Sequence, residues 1–213
     1  MPQLILDALA IVLAYLFGSI PVGVVVVKAI AGKDIREVGS GRTGGTNALR
    51  AGGKVAGVLT GLGDFAKGVA AVYAGRVLGA GQPVVIALCA AVVVAGHNWS
   101  IFNHFRGGAG TGPNVGAGTG LWFWTGVILL PAVPLILILT GYASVTSSVI
   151  ALVIVLIMTA RWLIVGAPLA YVGYAIATTV LVAIALIPNY RRLIEGTERM
   201  VGPRARAASR DAE

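Results

Sequence analysis

Between Gly39 and Arg50 the chain reads GSGRTGGTNALR, a run suited to holding an anion. Gly39, Gly41, Gly44 and Gly45 let the backbone approach a ligand and turn successive N–H groups toward one charge. Ser40, Thr46 and Asn47 add small hydrogen-bonding groups. Arg42 and Arg50 add planar forks of donors matched to phosphate oxygens. A second stretch, GHNWSIFNHFRGGAGTG at residues 96–112, sets His97 near a basic, Gly-rich turn made of Arg106, Gly107, Gly108 and Gly110. A third, NYRRLIEGTE at 189–198, contributes Asn189 and Arg192. Any one of these could be a flexible linker whose Arg residues only set membrane topology. Three on one membrane face argue for a site.

The ionisable residues in and beside these stretches need separate weighing. Asp64 and Lys67 are three apart inside an apolar run, so on a helix they share a face and can pair. Ionisable groups in a span are costly and face the bundle interior. Asp64 and Lys67 therefore read as supporting residues, either fixing helix packing as an ion pair or orienting a loop Arg or Asn from below. His97 titrates near neutrality when unperturbed and could bond a substrate, act as general base, or cap its helix. His104 lies among Trp99, Phe102 and Phe105 and reads as an interfacial anchor. Two histidines without a Cys, Asp or Glu cluster give no metal site, and no cofactor is expected. The lone Cys89 reads as packing.

The elements that must position these residues are apolar. Of 213 residues, 57% are hydrophobic and 11% charged, and mean hydropathy is +0.90. A soluble domain carries about 25% charged residues. Runs of about 20 apolar residues span a bilayer as helices, and the alternation of outer-membrane strands is missing. The fold expected is an all-α integral membrane protein with seven transmembrane helices. The spans fall near 4–27, 55–79, 83–96, 113–125, 127–141, 145–160 and 168–188. The first is broken at GSIPVG (18–23), where Gly18, Pro21 and Gly23 predict a kink or a close helix approach. With no basic stretch before it, this span reads as retained. Tyr142 to Ser144 reads as a hinge.

Charge sets the orientation. Lys28, Lys33, Arg36, Arg42, Arg50 and Lys54 lie in the first loop, Arg106 in the third, and Arg191, Arg192, Arg199, Arg204, Arg206 and Arg210 at the C-terminal end. Only Arg76 and Arg161 fall at the other face. The positive-inside rule then puts these loops and the C-terminus in the cytoplasm and the N-terminus outside. Residues 1–198 read as a single polytopic membrane domain, and 199–213 as a basic, disordered cytoplasmic tail attracted to anionic headgroups. No soluble basic face with interleaved aromatics exists, so nucleic acid is not an expected partner.

From Tyr15 to Glu198 the chain resembles the acyl-phosphate:glycerol-3-phosphate acyltransferases of bacterial membranes. The likeness rests on YLFGSIPVG, on GKDIREVGSGRTGGTNALR with D-x-x-KG after it, on GH-x-W-x-x-F-x-x-F-R-GG-x-G, and on N-Y-R-R-L-I-x-G-T-E. It implies transfer of a fatty acyl group from acyl-phosphate to the sn-1 hydroxyl of glycerol 3-phosphate at the cytoplasmic face of the bacterial cell membrane. The product would be lysophosphatidic acid for phospholipid synthesis. Ser40, Arg50, His97 and Asn189 would be catalytic. Gly41, Arg42, Thr46, Asn47, Arg106, Gly107, Gly108, Gly110 and Arg192 would bind substrate, with Arg50 and Arg106 on phosphate. The chain departs from the family pattern at Ala109, where a phosphate-contacting lysine stands, at Leu186, where a His stands, and at Arg42, where an Asn stands. Arg42 is then an extra cation able to compensate from the opposite loop.

Competing readings are a diverged member with another acceptor or donor, and a non-catalytic or transport-type membrane protein. A transporter places polar, helix-breaking residues near mid-membrane. Here they cluster at the helix ends, with Asp64 and Lys67 the exception.

Overall fold

A backbone in lipid has to satisfy its own hydrogen bonds, and a helix does so within one segment. The computed structural model describes residues 1–202, and among these all regular structure is helical. The helices are α1 (Gln3–Ser19), α2 (Val22–Ala31), α3 (Gly45–Leu78), α4 (Pro83–Asn98), α5 (Thr111–Leu121), α6 (Phe123–Thr140), α7 (Ala143–Val165) and α8 (Leu169–Ile194). Single 3-10 turns at Ile35–Glu37 and Ile101–Asn103 shape the two loops that carry the glycine motifs.

The expected break in the first span falls between α1 and α2. Pro21 has no N–H to continue the ladder and pushes Ile20 out of helical geometry (φ −57°, ψ 116°). The Ile20 carbonyl is thereby freed for a side chain, which matters below.

Six stretches are long and apolar enough to cross a membrane: Gln3–Ala31, Gly45–Leu78, Pro83–Asn103, Phe123–Thr140, Ala143–Val165 and Leu169–Ile194. Seven were expected. The missing one is α5, whose 11 residues reach only about 16 Å against a hydrocarbon core of about 30 Å. It begins deep in the bundle rather than at the loop end, and it packs along the second half of α3. Gly68 and Gly116 make that packing possible, because a Cβ on either would run into the other helix's backbone.

Two boundaries also shift toward the site. α3 starts at Gly45, so the second half of the Gly39–Arg50 motif is helical rather than loop. Gly53 (φ 79°, ψ −172°) separates this short helical segment from the long one, a conformation open to glycine. α8 runs through Pro188 to Ile194, so Asn189 and Arg192 sit on its final turns. Gly196 (φ 69°) then reverses the chain. Val201 is buried, and its N–H donates to the Gly141 carbonyl at 2.8 Å in the α6–α7 hinge. Of the expected tail, Arg199–Gly202 is thus packed back on the bundle, and residues 203–213 lie outside the described residues. The buried core runs through α1, α3, α4, α5, α7 and α8, with α6 adding Leu129. Leucines such as Leu156 and Leu163 face outward, as lipid-facing helices require.

Candidate active site

The first loop is built around one side chain. Asn47 donates from Nδ2 toward the carbonyls of Ile35 (3.1 Å), Val38 (2.9 Å) and Arg42 (2.8 Å), and its Oδ1 accepts from the Ser40 N–H at 3.2 Å. A buried amide so fully occupied holds backbone in place. Both Nδ2 hydrogens are spent on backbone, so Asn47 shapes the loop that presents Ser40 and keeps only a second lone pair on Oδ1 for a ligand. Gly41 (φ 70°) takes the left-handed turn between Ser40 and Arg42.

The second loop is tied to the end of α4. The Gly108 N–H donates to the His97 carbonyl at 3.1 Å. Gly107 lies flush on that same carbonyl, and Gly108 lies against the His97 ring at Nε2. Arg42 then joins three elements. Its Nη1 donates to the Gly108 carbonyl at 2.9 Å, and its Nη2 to Asn189 Oδ1 at 2.8 Å and to the Ala185 carbonyl. Burial, with Arg192 close by, pulls the Arg42 guanidinium below its ordinary value, and Glu198 acts in the opposite direction. On α8, Asn189 donates to Glu198 Oε1 at 2.7 Å and Arg192 Nε donates to Glu198 Oε2 at 2.9 Å. Arg50 Nη2 donates to the Arg199 carbonyl at 3.1 Å.

These residues surround a cavity of about 720 Å³. Ser40, Arg42, Thr46, Asn47, Arg50, Asp64, His97, Gly110, Asn189 and Arg192 all reach its wall, so three stretches far apart in sequence do converge. Five cations (Arg42, Arg50, Lys54, Arg192, Arg199) face two carboxylates (Asp64, Glu198) there, an excess of positive charge that suits an anionic ligand. Ala109 and Leu186 also line the wall. The remainder is apolar. Val58, Leu62 and Phe65 of α3 face Leu130, Val133 and Leu137 of α6. Val58, Leu62 and Leu130 are at once cavity wall and exposed outer surface, so the cavity opens sideways between α3 and α6.

Not every expected residue joins. Arg106 lies in a separate surface concavity with Asp34, Arg36, Glu37, Asn103 and His104. There Arg36 holds the Asp34 carboxyl down to about 2 and donates to Asn103 Oδ1 at 3.0 Å. Gly41, Gly107 and Gly108 support the loops rather than line the wall. Lys67 sits behind the wall, where its Nζ lies 2.9 Å from Asp64 Oδ1 and 2.8 Å from His97 Nδ1. Among the described residues no group of three or more His, Cys, Asp or Glu could hold a metal ion.

Sequence reasoning gave no role to Glu198, although an acid directly after a Gly-Thr turn among arginines was a visible signal. It also missed Lys54, Arg199, and the hydroxyl pair Thr111 and Ser147, 2.6 Å apart on the wall. The last had no signal, because Ser147 looks like any small residue in a span.

A cavity with one cationic, hydrogen-bonding end and one apolar end open to the bilayer fits an amphiphile reacting at its head. Comparison with known proteins agrees. The family model described as glycerol-3-phosphate acyltransferase matches residues 8–196. A "Glycerol-3-phosphate acyltransferase" of Rubrobacter xylanophilus is 40% identical over 204 residues, covering 94% of this chain and 98% of that one. "Glycerol-3-phosphate acyltransferase 2" of Moorella thermoacetica is 39% identical over 203 residues, covering 92% and 98%. Among solved structures, the glycerol 3-phosphate form of PlsY (YgiH), an integral membrane glycerol 3-phosphate acyltransferase, superposes with a TM-score of 0.80 at 29% identity, covering 92% of this chain and 96% of that one. Its lysophosphatidic acid form gives a TM-score of 0.78 at 27% identity.

Proposed function

The chain belongs to the glycerol-3-phosphate acyltransferase family, and from that premise we propose that it transfers a fatty acyl group from acyl-phosphate to the sn-1 hydroxyl of glycerol 3-phosphate. The protein is a multi-pass membrane acyltransferase, and the product of the proposed reaction is lysophosphatidic acid. The observation that carries the reading is the two-ended cavity. Its basic end offers Arg50, Arg192 and Lys54 to the phosphates of two anionic substrates. Its apolar end, between α3 and α6, lets an acyl tail stay in lipid while the reactive carbonyl reaches the polar end. Phosphate is already a good leaving group, so holding the two substrates in register and stabilising developing charge supply much of the rate. In this reading Ser40 and Asn189 orient substrate, Arg50 binds phosphate, and Ala109 and Leu186 are positions where the cavity wall has lost polar groups.

The reading includes a topology. α5 starts beside Asp64 and ends at Leu121, whose carbonyl accepts from Arg76 Nη2 at 3.4 Å. Arg161 stacks over the next residue, Trp122, at 4.9 Å. α5 together with the loop dipping in before it thus makes a further crossing, seven in all. The N-terminus is then outside, and the site and C-terminal end are at the cytoplasmic face of a bacterial cell membrane.

The test is acyl transfer by purified protein in detergent or lipid cubic phase, with palmitoyl-phosphate and glycerol 3-phosphate, assayed for lysophosphatidic acid and released phosphate. Turnover is expected, and Arg50→Ala should abolish it while the protein stays folded. Full activity in that variant would remove the phosphate role of Arg50. No turnover in folded wild-type protein would sink the reaction proposed.

A further inference from the structure

The buried group behind the cavity wall has a strict donor count. A lysine ammonium has three N–H donors and no acceptor. Lys67 Nζ faces three acceptors: His97 Nδ1 at 2.8 Å, the Ile20 carbonyl at 3.1 Å, and Asp64 Oδ1 at 2.9 Å. The first two are hydrogen bonds, and the third is a close ion pair without hydrogen-bond alignment. The Ile20 carbonyl is available because Pro21 breaks the helix. The Asp64 carboxylate, itself buried, needs a cation beside it. Asp64 Oδ1 also lies 3.5 Å from Nδ1, but the ammonium is nearer, at 2.8 Å, and cannot accept a proton from the ring, so the geometry favours Nδ1 as the bare nitrogen. His97 is then neutral, with its proton on Nε2. That edge lies against Gly108, behind the cavity wall that the His97 side chain helps line, and makes no hydrogen bond among the described residues. The charged groups around the ring are Asp64 and Lys67 from α3 and Arg42 from the first loop. α1 presents the Ile20 carbonyl and the second loop presents Gly108.

We propose that Lys67 is a positioning residue that fixes His97 as the neutral Nε2–H tautomer. His97 thereby becomes a hydrogen-bond donor to a substrate oxygen and not the proton acceptor of the transfer; the substrate half of this rests on the function proposed above. A general base needs its lone pair toward the substrate. Here the lone pair faces the other way, onto Lys67.

Because the chain has only two histidines, the tautomer can be read directly. In a His104→Asn background, 15N-histidine NMR in detergent should show one bare nitrogen, Nδ1, and one protonated nitrogen, Nε2. That pattern should persist across about one unit either side of neutrality. A proton on Nδ1, or an imidazolium, overturns the proposal. The paired change Asp64→Asn with Lys67→Met removes both charges together and should give mixed tautomers. A pure Nε2–H signal in it would show that Lys67 does not fix the ring.

Activity separates donor from base. Glutamine carries an N–H near the Nε2 position and asparagine does not. His97→Gln should keep turnover within about tenfold of wild type, and His97→Asn should lose about a hundredfold. Equal collapse of both points to a base and sinks the donor role. Wild-type protein inactive on these substrates would defeat the function above, while the NMR pattern still decides the tautomer.

Discussion

Arg42 donates to Gly108 in the second loop and to Ala185 and Asn189 on α8, so one planar guanidinium spans three elements. Lysine would keep the charge but lose the fork. Arg42→Lys is therefore expected to lower kcat/KM by about tenfold, with little change in thermal stability, when assayed under the same transfer conditions. Ala109 adjoins the Gly108 carbonyl that Arg42 holds, and it lines the cavity. Ala109→Lys should lower KM for glycerol 3-phosphate, by about tenfold at most, through one added charge-assisted contact. A raised KM would mean that Arg42 already fills that role and repels a second cation. The sequence exposed the types of these residues but not their partners. Arg42 and Asn189 are 147 positions apart, and nothing local in either motif says which carbonyls a buried arginine will find. For Asp64 and Lys67 the i, i+3 spacing was enough to foresee the pair. The arrival of His97 depends on how α3 packs on α4, which no spacing encodes.

At the scale of elements, the glycine positions decide how closely helices approach. Gly116→Val would force α5 off α3 at the Phe65 carbonyl, and such overpacking costs about 1–3 kcal/mol. A lower midpoint in thermal unfolding, with Arg76 losing its Leu121 contact, is the expected result. Asn47→Ala would leave the Arg42 carbonyl without a donor and take one contact each from the Ile35 and Val38 carbonyls, which keep the Val38 and Gly41 N–H groups. The loss, about 1–3 kcal/mol for buried groups, should appear as faster proteolysis of the 32–44 loop. Long apolar runs such as α7 were legible because composition alone fixes them. The helical state of Gly45–Arg50 was not, since Gly, Thr and Asn are poor helix formers. Only the scaffold that Asn47 and the Gly44 carbonyl provide makes that turn stable. The shortness of α5 was hidden for a related reason. Pro113, Gly116, Gly118 and Gly120 blur its pattern, and an apolar α6 follows almost without a break.

The whole molecule is a bundle in which α3 and α6 both wall the cavity without packing side by side. Val58, Leu62 and Leu130 belong to its inner and outer surfaces together. A doorway in the flank, not at an end, changes what concentration means for anything that enters through it. Such a molecule arrives by diffusion in two dimensions, and its effective amount is its mole fraction among the surrounding lipids. Diluting the proteoliposomes with buffer that holds glycerol 3-phosphate constant should leave the rate per enzyme unaltered. Diluting the membrane with inert phospholipid should slow it.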